Sequence, residues 1–392
     1  MGALPEAPEI DLLGNIESRY IVAFFVPSHE FFSAQDRTMI ISNQTRAEQR
    51  VRQIVRNGLR IAVVVPCYNV EAHIIEVVDT IPDYVSDVVL VNDGSNDGTG
   101  ELINLATRGR VFGIHLAQNR GVGEAMLTGF ARAAEMGADV LVKMDGDGQM
   151  DPRYLPLLIE PLLLGKADYT KGNRFRNVLL ANGMPTVRRI GNAVLSFLNK
   201  SASGYWNVFD PTNGYIATRR EIIDILPVNW IHRRFFFESS MLIALGIMGA
   251  VVLDVPIPAR YGLEKSNLRI SQTLFEFPIR MTVGLIRRIW IRKILYSLTM
   301  EALLAIFGVL FFLAGLSYGF YEFTQFTLIR GAPSPPGIVM GAALLMLFGF
   351  QMVLNAILLD IQSLPDSPLC ERWENQVRDD VTERVEALGK DA

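Results

Sequence analysis

The sequence predicts an α/β chain in which a doubly wound sheet is followed by a C-terminal hairpin of two transmembrane helices. Runs of β-branched and apolar residues at 61–65, 87–91, 111–116 and 138–144 are continuous rather than alternating, the pattern of strands covered on both faces. Helix-compatible stretches at 96–106 and 123–136 fall between strands, as a doubly wound arrangement requires. Two long uncharged stretches, 302–321 and 331–359, lie near the C-terminus.

Composition bounds the rest. A chain of 392 residues holds one large domain and something smaller, and a net charge of −4 gives no global pull toward nucleic acid. His29, His73, His115 and His232 are scattered and Cys67 and Cys370 lie far apart, so neither metal-ligand spacing nor a disulfide framework is present and a reducing, cytosolic setting is expected. The first residues are acidic and proline-containing, without a basic start and apolar core, so no secretory signal is expected.

From the N-terminus, residues 1–58 read as an extension in which 21–26 fits an extra strand and 46–60 a basic helix. The sheet domain is expected over 59–267. Within it the polar residues follow the strands: Pro66-Cys67-Tyr68-Asn69, Asn92-Asp93-Gly94-Ser95, Gln118-Asn119-Arg120-Gly121 and Asp145-Gly146-Asp147 each close one. Any single one of these loops is ordinary turn chemistry. Four in succession lie on the carboxyl edge, where open α/β sheets bind ligands, and point to a nucleotide. No Gly-x-Gly-x-x-Gly follows the first strand and no Walker A lysine is found, which disfavours dinucleotide and P-loop sites.

Asp145 and Asp147 suggest what neutralises the phosphates instead. Two hard oxygen donors beside a glycine suit Mg²⁺ or Mn²⁺, ions that take their remaining ligands from water and a substrate diphosphate. Alone, Asp-x-Asp is as readily a solvated turn.

Together with Gly172-Asn173-Arg174-Phe175, these loops resemble the GT-A glycosyltransferases of family 2, and more closely their polyprenyl-phosphate branch. The likeness covers roughly 60–270. It implies a Rossmann-like GT-A domain that moves a sugar from a nucleoside diphosphate sugar, a UDP-sugar rather than GDP-mannose, to a polyprenyl phosphate. Pro66, Tyr68, Asn69, Glu71, Asp93, Gly94, Asn119, Gly121, Asp145 and Gly146 would then bind the donor, and Asp145, Asp147 and Gln149 the metal. Asp210, in Phe209-Asp210-Pro211-Thr212-Asn213-Gly214, matches the family's catalytic aspartate, with Asp147 as its partner in catalysis. Arg174, Arg189 beside Arg188, and Asn192 match positions that hold the acceptor phosphate. Arg260 and Lys265 match a segment that closes over the donor diphosphate. Glu238 matches a further carboxylate, for which a helix cap or ion pair is the alternative. The chain departs from the family in placing Val70 between Asn69 and Glu71, and Val122 where lysine is common.

The C-terminal third fits such an acceptor. Residues 268–298 mix Phe275, Phe277, Ile279, Leu285, Ile289 and Trp290 with Arg269, Arg280, Arg287, Arg288, Arg292 and Lys293, the composition of an interfacial helix. Two spans follow within 299–361, each long enough for the roughly 20 apolar residues a crossing needs. Four basic residues precede the first and Arg330 alone lies between them, so both ends and the catalytic domain are expected in the cytosol, with the chain integral to the inner or plasma membrane. Residues 362–392 form an acidic cytosolic tail, helical or disordered. Gln351 and Asn355 share a face of the second span and call for another helix, in the hairpin or a neighbouring subunit, or for local self-capping. The resemblance implies a homo-oligomer, a tetramer. Two rivals are a polysaccharide synthase, whose Gln-x-x-Arg-Trp motif is missing here, and a silent membrane scaffold.

Overall fold

A computed structural model describes residues 34–174, 186–257 and 270–372, with side chains over 42–174, 194–257 and 276–372. The chain divides into two compact units, 1–45 and 46–392. The first described helix, α1 (Ala34–Arg56), begins earlier than the basic helix expected at 46–60. In the second unit its buried Ala47 and Val51 join the core, while Arg50 pairs with Glu160 and Arg52 with Asp83. The strand expected at 21–26 lies outside the described residues.

The sheet domain then alternates as the sequence predicts. β1 (Ile61–Cys67), α2 (Ile74–Thr80), β2 (Asp87–Asn92), α3 (Thr99–Ala106), β3 (Val111–His115), α4 (Val122–Glu135) and β4 (Val140–Lys143) place four parallel strands in the order β3-β2-β1-β4. Continuous apolar strands are explained by two cores, one on each face. Ile61, Val63, Val65 and Cys67 of β1 pack with Val51, Ile74, Val77 and Ile103. Ala62 and Val64 turn the other way, against Ala125, Met126 and Phe130 of α4.

Beyond β4 the sheet departs from pure parallel winding. After α5 (Leu155–Leu163), β5 (Tyr169–Asn173) and α6 (Thr186–Ser203) comes β6 (Ile216–Arg219), which inserts antiparallel between β4 and β5. α7 (Arg220–Asp224) and α8 (Phe237–Met248) lead to β7 (Val252–Pro256), parallel to β5 at the sheet's end. The reversal has a consequence for the site. Ile216, the first residue of β6, pairs with Lys143, the last of β4, so the loop entering β6 arrives at the edge where the parallel strands end.

α9 (Ile270–Arg288) lays Met281 against Phe236 and Ile243 and leaves Ile279, Val283 and Ile286 exposed, then passes into a π-helical stretch, Ile289–Leu295. Two of the basic residues before the first span, Arg288 and Lys293, are buried in ion pairs. α10 (Met300–Phe323), continued by a π-helical Thr324–Ile329, and α11 (Pro336–Gln362) are, among the described residues, the two helices long and apolar enough to cross a membrane. Only 11% and 17% of their apolar stretches are buried, which separates them from core helices of a soluble domain. They meet along a seam of small residues at seven-residue spacing, Gly308 and Gly315 against Ala342, Gly349 and Ala356. Gln351 and Asn355 are exposed, off this seam, so the hairpin does not supply the partner helix they call for. The described start of the tail is pinned rather than free: the buried Asp168 accepts from the N–H groups of Val251, Leu369 and Cys370 at 2.8, 2.7 and 3.1 Å.

Candidate active site

The loops ending β1, β2 and β3 are tied together by their own polar residues. Asp93, 3% exposed, accepts from the backbone N–H groups of Arg120 and Gly121, one on each oxygen, both at 2.8 Å. Gly94 lies directly against the backbone of Gln118 and Asn119. Asn69 has a positive φ of 55°, and its side-chain oxygen accepts from the N–H of Asn96 at 2.9 Å. Glu71, expected near the nucleoside, accepts from the N–H of Gly98 at 2.5 Å just before α3, which is a helix-capping use of its carboxylate. Of these expected donor-binding residues Tyr68, Asn69 and Glu71 are exposed, Tyr68 by 38% beside Pro66 at the end of β1.

The turn after β4 carries the paired aspartates. Asp147 Oδ1 accepts from the N–H of Gln149 at 3.0 Å, and the N–H of Asp145 lies 3.2 Å from the Met150 sulfur, with Gly146 buried between. Lys143, 1% exposed in β4, places its ammonium 2.7 Å from Asp145 Oδ1 and 3.3 Å from Glu238 Oε1. Burial opposes that charge, but the two carboxylates outweigh it and hold the lysine above its ordinary pKa. Glu238 therefore serves an ion pair from the first turn of α8.

Asp210 sits in the loop that enters β6. It is fully buried and accepts from Arg174 three times: from Nε and N–H on Oδ2 at 2.8 and 3.2 Å, and from Nη2 on Oδ1 at 3.2 Å. The same loop closes over the aspartates at Gly214, where a side chain would collide with the Lys143 ammonium and stand 2.9 Å from Asp145 Oδ2. The register of β6 thus brings Asp210, Arg174, Asp145 and Glu238 to one edge.

Charges missed at the sequence level complete it. Lys171 on β5 donates to the Asn213 carbonyl, and burial pushes its pKa down to about 8. Asp254 on β7 accepts on Oδ2 from Asn173 Nδ2 at 3.0 Å and the Phe209 N–H at 2.7 Å, its Oδ1 has no hydrogen-bond partner among the described residues, and burial pushes its pKa up to about 6. The available signal was a lysine or aspartate interrupting a short apolar strand. The side chains of Arg189 and Asn192, on α6, and the whole of Arg260 and Lys265 lie outside the described residues.

Residues 62–226 match the family model described as glycosyl transferase family 2. A UDP-N-acetylglucosamine–dolichyl-phosphate N-acetylglucosaminyltransferase of Methanococcus voltae is 30% identical over 234 residues, covering 56% of this chain and 92% of the relative. The chain belongs to glycosyltransferase family 2. It is an enzyme of the transferase class, and its mixed seven-stranded sheet is of the GT-A type. Another family member similar to it is the polyprenol monophosphomannose synthase of Mycolicibacterium smegmatis, 30% identical over 232 residues, 57% of this chain and 87% of that one. A solved glucosyl-3-phosphoglycerate synthase from Mycobacterium tuberculosis overlays with a TM-score of 0.45 at 23% identity, over 60% of this chain and 82% of that one.

Proposed function

We propose that this family 2 glycosyltransferase transfers a sugar from a nucleoside diphosphate, a UDP-sugar, to a polyprenyl phosphate held in the membrane, with inversion at the anomeric carbon. The observation that carries it is the Arg174–Asp210 pair, with Asp210 in the loop whose Gly214 packs against Asp145, in a chain whose catalytic domain leads into an apolar helical hairpin. Relatives named for dolichyl-phosphate and polyprenol transfer support the acceptor class.

A lipid phosphate has a second pKa of about 6 and is already largely ionised at neutral pH, so its oxygen needs no strong base. That oxygen forms the new bond to the anomeric carbon while the bond from that carbon to the donor diphosphate breaks, the electron pair leaving with the nucleotide. Arg174, with Arg189 and Asn192, holds the acceptor phosphate through charge-assisted hydrogen bonds. Asp210 orients Arg174 instead of abstracting a proton. Tyr68, Pro66, Asn69, Glu71, Asp93, Gly94, Asn119, Gly121 and Gly146 form the nucleotide wall, and Arg260 and Lys265 meet the departing diphosphate.

The donor set fits a hard divalent cation. Asp145 and Asp147 are two carboxylates one residue apart in the turn after β4, and an ion held by so few protein oxygens takes its other ligands from a diphosphate and water. Asp145, Asp147 and Gln149 would hold Mg²⁺ or Mn²⁺, which when bound neutralises the diphosphate leaving group.

The excess of basic residues before the first span supports a catalytic domain on the cytosolic side, where nucleotide sugars are available. Full-length protein in lipid vesicles, given a panel of labelled UDP- and GDP-sugars with undecaprenyl phosphate, should yield an acid-labile product extracted into organic solvent. Label recovered only in water-soluble glycan would replace this acceptor with a polysaccharide.

A further inference from the structure

We propose that Asp360 is a positioning residue that couples the membrane hairpin to the loop carrying Asp210. Asp360 lies in the last turn of α11. Arg288, at the end of α9, places Nη1 on its Oδ1 and Nη2 on its Oδ2, both at 2.9 Å, and the Trp206 indole N–H donates to Oδ2 at 2.9 Å. The Lys293 ammonium stands 3.6 Å from Oδ1 and also pairs with Glu301 at the start of α10. Both membrane helices and the helix before them therefore converge on one charge cluster.

The cluster reaches into the catalytic loop by two routes. Arg288 Nη2 also donates to the Ser201 carbonyl at 2.8 Å, and its guanidinium lies on Gly204, φ +82°, where any side chain would collide with it. Trp206 passes the contact on: its carbonyl accepts from Lys200 at 2.9 Å, and the Lys200 ammonium sits 4.3 Å above the ring of Phe209, the neighbour of Asp210. Docking a hairpin does not require this arrangement, since apolar residues replace buried ion pairs with little or no loss of stability. Nor does the Arg288–Asp360 fork alone touch the loop past Gly204. The Trp206 bond does, and it ties the height of the Asp210 loop to the position of the second span. A lipid phosphate must be met at a fixed depth, whereas a nucleotide arrives from water, so the coupling governs acceptor use and leaves the donor untouched.

This inference rests on the membrane-acceptor reading above, and its test separates the two. Trp206→Phe keeps the Arg288–Asp360 fork and removes one hydrogen bond to a carboxylate. In full-length protein in phosphatidylethanolamine–phosphatidylglycerol vesicles, the KM for undecaprenyl phosphate should rise about five- to tenfold, with kcat on a short, water-soluble prenyl phosphate and the affinity for UDP unchanged. Equal losses on both acceptors, or none on either, would overturn the coupling. Hydrogen exchange supplies a readout that needs no acceptor: amides of residues 204–214 should exchange at least about fivefold faster in Trp206→Phe and Asp360→Asn, while those of β1 and β2 stay as in the parent. Unchanged exchange overturns the coupling even if both variants are slow enzymes. Faster exchange in a protein that uses neither phosphate supports the coupling and discards the acceptor reading instead.

Discussion

Lys143 and Glu238 face each other from β4 and α8 at 3.3 Å, with side chains 2% and 13% exposed. A buried ion pair is costly to break from one side, because the partner keeps its charge without compensation. Lys143→Met should therefore lower stability by about 3–5 kcal/mol, read as a drop in the unfolding midpoint in detergent. Adding Glu238→Gln should recover part of it, since Asp145, 2.7 Å from the same ammonium, still loses its partner. Additive losses in the double variant would show that the two residues do not act as a pair.

The adjacent aspartates carry a different expectation. Asp147→Asn should weaken Mn²⁺ binding and cut turnover about a hundredfold or more, since a metal worth several kcal/mol of leaving-group stabilisation is being lost. Metal titration of the variant and assay of the parent protein in EDTA check it. Full activity in EDTA would remove the metal from the mechanism.

Asp254 gives the chain a pH signature. Burial raises its folded pKa to about 6, above an unfolded value near 3.9, so between those values the folded state binds more protons and stability falls as pH rises. Asp254→Asn keeps an acceptor for Phe209 and Asn173 and removes the charge. The variant should be more stable than the parent at pH 7, by on the order of 2 kcal/mol, and equal to it below about pH 4. Unfolding midpoints across pH 3–8 test both halves; a parallel offset at every pH would assign the effect to packing.

The parallel half of the sheet was legible because its strands are continuous, apolar and buried, and each ends in turn chemistry that marks the binding edge. β5, β6 and β7 were not, because four or five residues containing Lys171, Arg219 or Asp254 show no apolar period. Their partners supply the burial. Asp210 was placed by motif, but the reason its loop reaches Asp145, at Gly214, is the antiparallel insertion of β6, a long-range pairing that no local pattern encodes. Arg288 and Lys293 read as part of an interfacial helix before an apolar span, and only the returning α11 reveals Asp360 as their partner.

The last expectation separates Asp210 from a general base. Its carboxylate is fully buried and engaged by Arg174 on both oxygens, an arrangement that orients a guanidinium and leaves little reason to take a proton. Asp210→Asn should lose much of the activity, yet the residual rate should still follow ionisation of the acceptor near pH 6. If Arg189 holds the acceptor phosphate as proposed, Arg189→Ala should raise the acceptor KM and leave donor affinity unchanged, because such a contact acts in the ground state as well as the transition state. A pH–rate profile of Asp210→Asn that no longer follows the acceptor's pKa, or near-parental turnover, would return the proton-transfer role to Asp210.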